Sequence, residues 1–238
     1  VNNEAPWFER AFGEDYLRVY AHRDAAQAQR EIEELARRLD TGAKPRVLDA
    51  GCGAGRHLAA WRARGVQAMG FDRSEALLSH AREQGLRVLR ADLRAIPLAD
   101  AAFDVVTLLF TTFGYFDSAE EDQAVLCEAA RVLKPGGTLV LDLADPVDVQ
   151  SQLQAHTQRT LPHAEISETR HMEGRRVVKD VVFRDACGTR AWRESVRLYS
   201  SSEAQSMLIA AGLRWRGCGG NLDQEARSIR HVHLAERP

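Results

Sequence analysis

The sequence predicts an α/β fold built on a parallel, doubly wound sheet. Short aliphatic runs alternate with amphipathic helical segments from Arg46 to Leu143. A glycine-rich turn, Gly51-Cys52-Gly53-Ala54-Gly55, joins the first of these strands to its helix. After Asp145-Pro146 the rhythm changes to period-two alternation, which predicts an antiparallel β insertion.

Each element follows from a local signal. Glu31 to Leu39 reads as an amphipathic helix with Ile32, Leu35, Ala36 and Leu39 on one stripe, ended by the loop Thr41 to Pro45. Arg46 to Ala50 is the first strand, and the helix through Leu58 and Trp61 stops at Gly65. Gln67 to Phe71 is the second strand. Ser74 can cap a helix to Gln84, which Gly85 ends. Arg87 to Ala91 is the third strand. Phe103 to Leu109 is a nearly continuous apolar run, as a central strand covered on both faces requires. Ser118 and Glu121 form a capping box opening a helix to about Leu133, and Pro135-Gly136-Gly137 turns the chain into a fifth strand, Thr138 to Leu143. In the insertion, Arg175 to Phe183 and Thr189 to Tyr199 read as a hairpin joined by Asp185 to Gly188. Ser202 and Gln205 cap another helix, which stops at Gly212. Two final strands follow, near Leu213 to Gly217 and Ser228 to Leu234.

Bulk properties narrow the partners. The chain has 238 residues, 45% hydrophobic and 28% charged, an ordinary composition for one globular domain. Lys+Arg 32 against Asp+Glu 34 gives a net charge of -2, so no basic excess points to nucleic acid or to a membrane. No apolar run approaches the ~18 residues of a membrane span, and Val1-Asn2-Asn3-Glu4 has no signal-peptide character. Cys52, Cys127, Cys187 and Cys218 form no C-x-x-C pair, which argues against a zinc site or a disulfide framework and for a cytoplasmic location.

The chemistry concentrates at the ends of the first strands. The glycines of the turn let a ligand approach the backbone, and the free N–H groups of the following helix start favour an anionic group. Arg56 stands where the dinucleotide pattern G-x-G-x-x-G places its third glycine. Asp49 precedes the turn; its carboxylate would repel a pyrophosphate but can accept a hydrogen bond from an ammonium. The pattern therefore favours an amino-acid-like ligand over a nicotinamide cofactor. Asp72 ends the second strand about 20 residues on, where such folds place an acid for ribose hydroxyls; its structural alternative is a helix cap, for which Ser74 is better placed. Asp92, after the third strand, is positioned to accept the exocyclic amine of adenine or to serve as a turn residue.

These sites, with Leu133-Lys134-Pro135-Gly136-Gly137 before the fifth strand, resemble the class I S-adenosylmethionine-dependent methyltransferases over about residues 44 to 145. The resemblance implies a Rossmann-like seven-stranded sheet with the last strand antiparallel. It implies S-adenosyl-L-methionine as cofactor and S-adenosyl-L-homocysteine as product. It assigns Asp49, Ala50, Gly51, Cys52, Gly53, Gly55 and Arg56 to the methionine part, Asp72 with Arg73 and Ser74 to ribose, and Asp92 with Leu93 to adenine. Phe110 completes that set. The rest resembles small-molecule methyltransferases such as the sugar N-methyltransferases, in which an antiparallel insertion roofs the acceptor site.

The expected organisation is a single domain, 1–238. Residues 1–43 form an N-terminal helical lid, 44–145 the cofactor core, 146–200 the insertion over the acceptor, and 201–238 the final helix and strands. A helix over Glu14 to Arg23 would align Tyr16, Tyr20 and Arg23 toward the cofactor. The loop after the fourth strand and one insertion residue supply the expected acceptor contacts Thr111, Thr112, Gly114, Tyr115 and Trp192; the loop aromatics read alternatively as a core cluster, and Trp192 reads better as cross-strand packing. The Asn/Asp-Pro-Pro-Tyr/Phe motif of methyltransferases that act on nucleic-acid amines is absent from that loop. Methyl transfer needs a base only if the acceptor must lose a proton; Tyr115 and His22 are the leading candidates, with His156, His163 and His171 behind them. His231 and His233 read as ordinary strand residues, and Cys52 as a small loop residue. The expected activity is methyl transfer to a small-molecule nitrogen or oxygen by a monomer or homodimer, with no nucleic-acid or membrane partner. A non-catalytic cofactor-binding regulator and, further off, a NAD(P)-dependent oxidoreductase remain the alternatives.

Overall fold

The computed structural model describes residues 6–20, 24–39, 44–223, 225 and 229–238. Five parallel strands are laid down in turn: β1 (Arg46–Ala50), β2 (Gln67–Asp72), β3 (Val88–Arg90), β4 (Phe103–Leu108) and β5 (Leu133–Ala144). The antiparallel insertion interrupts the sheet before β10 (Arg214–Gly219) and β11 (Arg230–Glu236) complete it. The sheet order is β10-β11-β5-β4-β1-β2-β3, and β11 runs antiparallel to both neighbours. This is the expected seven-stranded Rossmann-like sheet with its last strand reversed.

Alternate residues of the central strands feed two cores. Val47, Val105, Val140 and Val232 face α3 (Ala25–Arg38) and α4 (Arg56–Ala63), where Ile32, Leu35 and Trp61 meet them. Leu48, Val106, Leu139 and Leu141 face α6 (Ala119–Val132) and α8 (Ser201–Ala210). α5 (Glu75–Glu83) packs beside α4 through Leu58, Ala81 and Leu86. Burial on both faces is why β4 reads as an unbroken apolar run.

Several boundaries differ from the sequence reading. α3 starts at Ala25 rather than Glu31, because the Asp24 carboxylate accepts the Gln27 N–H at 2.8 Å and caps it. The final helix is capped by Ser200 with Glu203 in a capping box, not by Ser202 with Gln205. The N-terminal segment forms two short helices, α1 (Trp7–Ala11) and α2 (Glu14–Val19), separated at Gly13, rather than one helix to Arg23. A further short helix, α7 (Pro146–Ser151), follows β5 behind the Asp145 cap.

The insertion is a four-stranded antiparallel sheet, β6 (His156–Leu161), β7 (Ala164–Glu173), β8 (Arg176–Asp185) and β9 (Gly188–Arg197), not a hairpin alone. The expected hairpin is its β8–β9 half. β6 and β7 escape a hydrophobic-periodicity reading because their inward positions carry charge. Glu168 is buried, yet it pairs with Arg170 at 2.7 Å and accepts the Thr157 hydroxyl at 3.0 Å. α2 lies on this sheet, with Val19 and Tyr20 packed among Ala164, Ile166, Val181 and Phe183.

Arg176 of β8 donates to the Phe116 carbonyl at 3.0 Å, and two further contacts help fix the insertion to the core. The Gly114 carbonyl accepts the Arg197 N–H at 2.8 Å, and a Cβ at Gly114, with φ +92°, would strike the Arg197 carbonyl oxygen. Just after β9, the buried Tyr199 hydroxyl donates to Asp122 of α6 at 2.6 Å. Removing that hydroxyl strands a buried carboxylate, a loss of about 1–3 kcal/mol. Y199F should therefore lower unfolding stability in urea by that amount, and an unchanged midpoint and slope would show that Asp122 finds another donor.

Candidate functional site

The carboxyl ends of β1 to β4 open into a cavity of about 440 Å³, roofed by α1 and α2. Its floor is the glycine turn. The N–H groups of Gly51 and Cys52 donate to the Phe71 carbonyl at 2.8 and 2.9 Å, which folds the turn back over β2. Gly51 has φ +73°, and a Cβ there would collide with the Thr112 side chain, so glycine is required for the loop after β4 to approach.

Acidic groups define the polar side. Asp72 is enclosed at the end of β2, where Oδ2 accepts the Gly53 N–H and Oδ1 the Ser74 N–H, both at 2.8 Å. Ser74 caps α5, accepting the Leu77 N–H at 3.2 Å. Burial raises the Asp72 carboxyl above its ordinary value despite both backbone donors. Asp49 is buried beneath the turn; Oδ1 accepts the Thr107 hydroxyl at 2.9 Å, and Oδ2 has no hydrogen-bond partner among the described residues. Burial raises Asp49 too, against the opposing pull of His57, Thr107 and Arg56. Burial also pushes the Cys52 thiol well up, so it is a poor nucleophile at neutral pH.

Asp92 lines the cavity with both carboxylate oxygens engaged. Arg94 reaches Oδ1 at 3.0 Å and Oδ2 at 2.7 Å, and Arg73 reaches Oδ2 at 2.5 Å. The hydrogen bond from Arg94 outweighs burial and holds Asp92 below the ordinary carboxylate range. Arg73 also grips Glu9 of α1 at 2.5 Å, and Ser74 Oγ donates to the Phe12 carbonyl at 2.5 Å. These bonds seat the N-terminal helices on the cavity rim.

The opposite side is aromatic. Tyr16 and Tyr20 line it with ring centroids 4.5 Å apart; Phe12 lies 5.1 Å from Tyr16 and 5.6 Å from Tyr115. The Tyr20 hydroxyl donates to Glu194 at 2.8 Å and also contacts Lys179. Phe110 and Thr111 adopt left-handed backbone, φ +55° and +65°, a costly conformation for non-glycine residues. Asp142 holds them there: Oδ2 accepts the Phe110 N–H at 2.8 Å, while Oδ1 accepts Arg230 Nε at 2.6 Å. The Phe110 ring lies 4.5 Å from the Arg56 guanidinium and 5.1 Å from that of Arg230.

The cavity gathers most of the residues expected from sequence: Tyr16, Tyr20, Gly51, Cys52, Gly53, Arg56, Asp72, Arg73, Ser74, Asp92, Leu93, Phe110, Thr112 and Tyr115. Asp49, Ala50 and Gly55 belong to the strand and turn that support it. The structure places three expected acceptor contacts elsewhere. Thr111 turns to Arg230, Gly114 is spent on docking β9, and Trp192 packs in the insertion core and donates to Glu194 at 3.2 Å. Arg23 and His22 lie outside the described residues. His156 and His171 lie on β6 and β7 and His163 in the turn between them, away from the cavity lining. The sequence reading missed Phe8, Phe12 and His57; His57 adjoins the glycine turn, but no pattern in the sequence linked it to Glu31.

Among the described residues no helix is long and apolar enough to cross a membrane, and no cluster of three His, Cys, Asp or Glu side chains could hold a metal.

Fold and cavity together define a Rossmann-like methyltransferase, and comparison with known proteins agrees. Residues 48–141 match the family described as Methyltransferase domain. The chain is 30% identical over 209 residues to a demethylmenaquinone methyltransferase of Thermus thermophilus, covering 82% of this chain and 84% of that one. It is 29% identical over 203 residues to the cypemycin N-terminal methyltransferase of a Streptomyces species, covering 80% and 82%. The solved sugar N-methyltransferase KedS8 from a Streptoalloteichus species superposes with a TM-score of 0.73 at 24% identity, covering 100% of this chain and 96% of that one. The chain belongs to the class I S-adenosylmethionine-dependent methyltransferases, and its cofactor is S-adenosyl-L-methionine.

The residues present fit that cofactor: a buried carboxylate oxygen without a donor lies beneath a glycine cradle, and an enclosed acid ends β2. The Asp49 carboxyl carries a testable cost. Its pKa in the fold is raised above 3.8, so the stability it permits is complete below that value and is lost as pH rises through the raised pKa. D49N should therefore melt at a higher temperature than the parent near pH 7, with the gap closing toward pH 4. A gap that does not depend on pH would mean that Asp49 is not the source.

Proposed function

We propose that this methyltransferase passes the methyl group of S-adenosyl-L-methionine to a nitrogen or oxygen of a small-molecule acceptor inside the cavity under α1 and α2. The observation that carries the reading is the polarity of that one cavity. Acidic and backbone groups line the side at β1 to β3, and tyrosine and phenylalanine rings line the side facing the insertion. The names of the similar proteins, a cypemycin N-terminal methyltransferase, a demethylmenaquinone methyltransferase and a sugar N-methyltransferase, support a compact acceptor over nucleic acid. The net charge of -2 points the same way.

When bound, the cofactor supplies a methyl group on a positively charged sulfur, already activated for displacement. The chain's task is then orientation and exclusion of water. In this reading the free Oδ2 of Asp49 receives the cofactor's ammonium, and Asp72 uses its remaining lone pairs for the ribose hydroxyls. Leu93 flanks adenine. Because Arg73 and Arg94 occupy Asp92, that carboxylate acts on adenine less as a free acceptor than as an anchor for the two guanidiniums. Tyr16 and Tyr20 would pack beside the positive sulfur, whereas the Phe110 ring is engaged by the guanidiniums of Arg56 and Arg230. Tyr115 is the candidate group at the acceptor, and α1 with α2 is the lid.

Asp72 provides the direct test. A charge-assisted hydrogen bond contributes about 1.5–3 kcal/mol, so D72A should bind S-adenosylhomocysteine at least about tenfold more weakly while remaining folded. Equal affinity in calorimetry would confine Asp72 to a structural role. The function itself is tested by an acceptor screen that reads release of S-adenosylhomocysteine. Turnover confined to tRNA or duplex DNA would overturn the small-molecule reading.

A further inference from the structure

A buried ionisable pair stands against the cavity at the glycine turn, and neither the fold nor the reading above gives it a role. His57, in the first turn of α4, lines the cavity with only 7% of its surface exposed. Its Nε2 lies 2.6 Å from Oε2 of Glu31, which reaches across from α3 and is itself buried. Glu31 also accepts Gln27 Nε2 at 3.1 Å and faces Arg56 at 3.2 Å. Nδ1 of His57 has no hydrogen-bond partner among the described residues, and it is not one of the fully enclosed polar atoms.

We propose that His57, with Nε2 anchored on Glu31, offers Nδ1 to the amino-acid end of the cofactor as a second hydrogen-bond partner beside Asp49, and that Glu31 is the positioning residue that sets the ring. This rests on the cofactor reading above.

The sheet order supports the assignment. From β4 through β1 and β2 to β3, the strand ends carry in sequence Phe110, Asp49, Asp72 and Asp92, of which all but the underlying Asp49 line the cavity. If Asp72 takes the ribose and the Asp92 side takes adenine, the amino-acid end falls toward β1 and β4. His57 stands there: it acts electrostatically on Asp49, and its sequence neighbour Arg56 stacks on Phe110.

The energetics point to a role beyond stability. Desolvating a carboxylate and an imidazole is costly, and apolar residues of similar size would pack the α3–α4 contact as well or better. Burial works to raise the Glu31 carboxyl, yet the hydrogen bond from His57 and the charges of His57, Arg56 and Arg230 hold it below its ordinary value. Glu31 is therefore an ionised acceptor at neutral pH. That fixes the proton on Nε2 and orients the ring with Nδ1 away from α3.

The test compares two ligands on the full chain. S-adenosylhomocysteine has the amino-acid end; methylthioadenosine lacks it and keeps the adenosine. Calorimetry should show H57F weakening S-adenosylhomocysteine about tenfold, one charge-assisted contact, and methylthioadenosine less than about twofold. H57N, whose amide oxygen can accept a hydrogen bond near the place of Nδ1, should recover most of the loss. E31Q should weaken S-adenosylhomocysteine about threefold with the same selectivity, and it carries the test with H57N if H57F does not fold. Equal weakening of both ligands would make the pair structural and overturn the proposal, as would unchanged affinity for S-adenosylhomocysteine. A parent chain that binds neither ligand would instead overturn the cofactor reading beneath it.

Discussion

Carboxylates buried around the carboxyl ends of the parallel strands, two on strands and one on α3, are the constraint around which the rest of this structure is arranged. A carboxylate taken out of water must be paired, hydrogen-bonded or protonated. Glu31 solves this with His57 and Arg56, and Asp72 with two backbone N–H groups. Asp49 solves it only halfway, since one oxygen has Thr107 and the other has nothing among the described residues. A fold selected for stability alone has no reason to keep such an oxygen. Its retention under a glycine turn, in a chain whose cofactor carries an ammonium, is what a binding site paying in stability for recognition looks like.

The same logic explains how the cavity is closed. The N-terminal helices are too short to be stable alone, α1 with 5 residues and α2 with 6. They hold their place through tertiary contacts. Glu9 and the Phe12 carbonyl reach Arg73 and Ser74 beside Asp72, and Val19 and Tyr20 sink into the insertion. The roof is thus tied to the Asp72 side of the floor and to the β6–β9 sheet at once.

The parts of the fold that were legible in the sequence are those in which local chemistry and burial agree. β1, β4 and the second half of β5 are buried on both faces, so apolar runs mark them, while β2 and β3 toward the sheet edge are marked by their place in the strand–helix alternation; Ser74 and Ser118 cap their helices as their side chains suggest. The site was legible where glycine or an acid ends a strand, at Gly51, Asp49 and Asp72. Legibility fails where tertiary pairing replaces hydrophobicity. β7 buries Glu168, whose partners Arg159 and Lys179 come from β6 and β8 and leave no apolar period to detect. The alternation around Trp192 leaves a pocket-facing side chain and cross-strand packing both open, and the structure packs it in the insertion core with Tyr20. The Glu31–His57 pair spans 26 positions and two helices, and single-sequence patterns cannot see across that distance.

The left-handed backbone at Phe110 and Thr111 links the two ends of the chain to the cavity. Neither residue adopts that conformation without help, and the help comes from Asp142 on β5 and Arg230 on β11. β11 is the reversed strand added last, so the shape of the loop beside the cavity depends on the sheet being complete. Arg230 also acts on Glu31 from the far side of the turn, and its guanidinium shares the Phe110 ring with that of Arg56. The antiparallel strand therefore does more than extend the core. It places a cation that holds the β4 loop in a strained conformation and extends the charge network under the glycine turn.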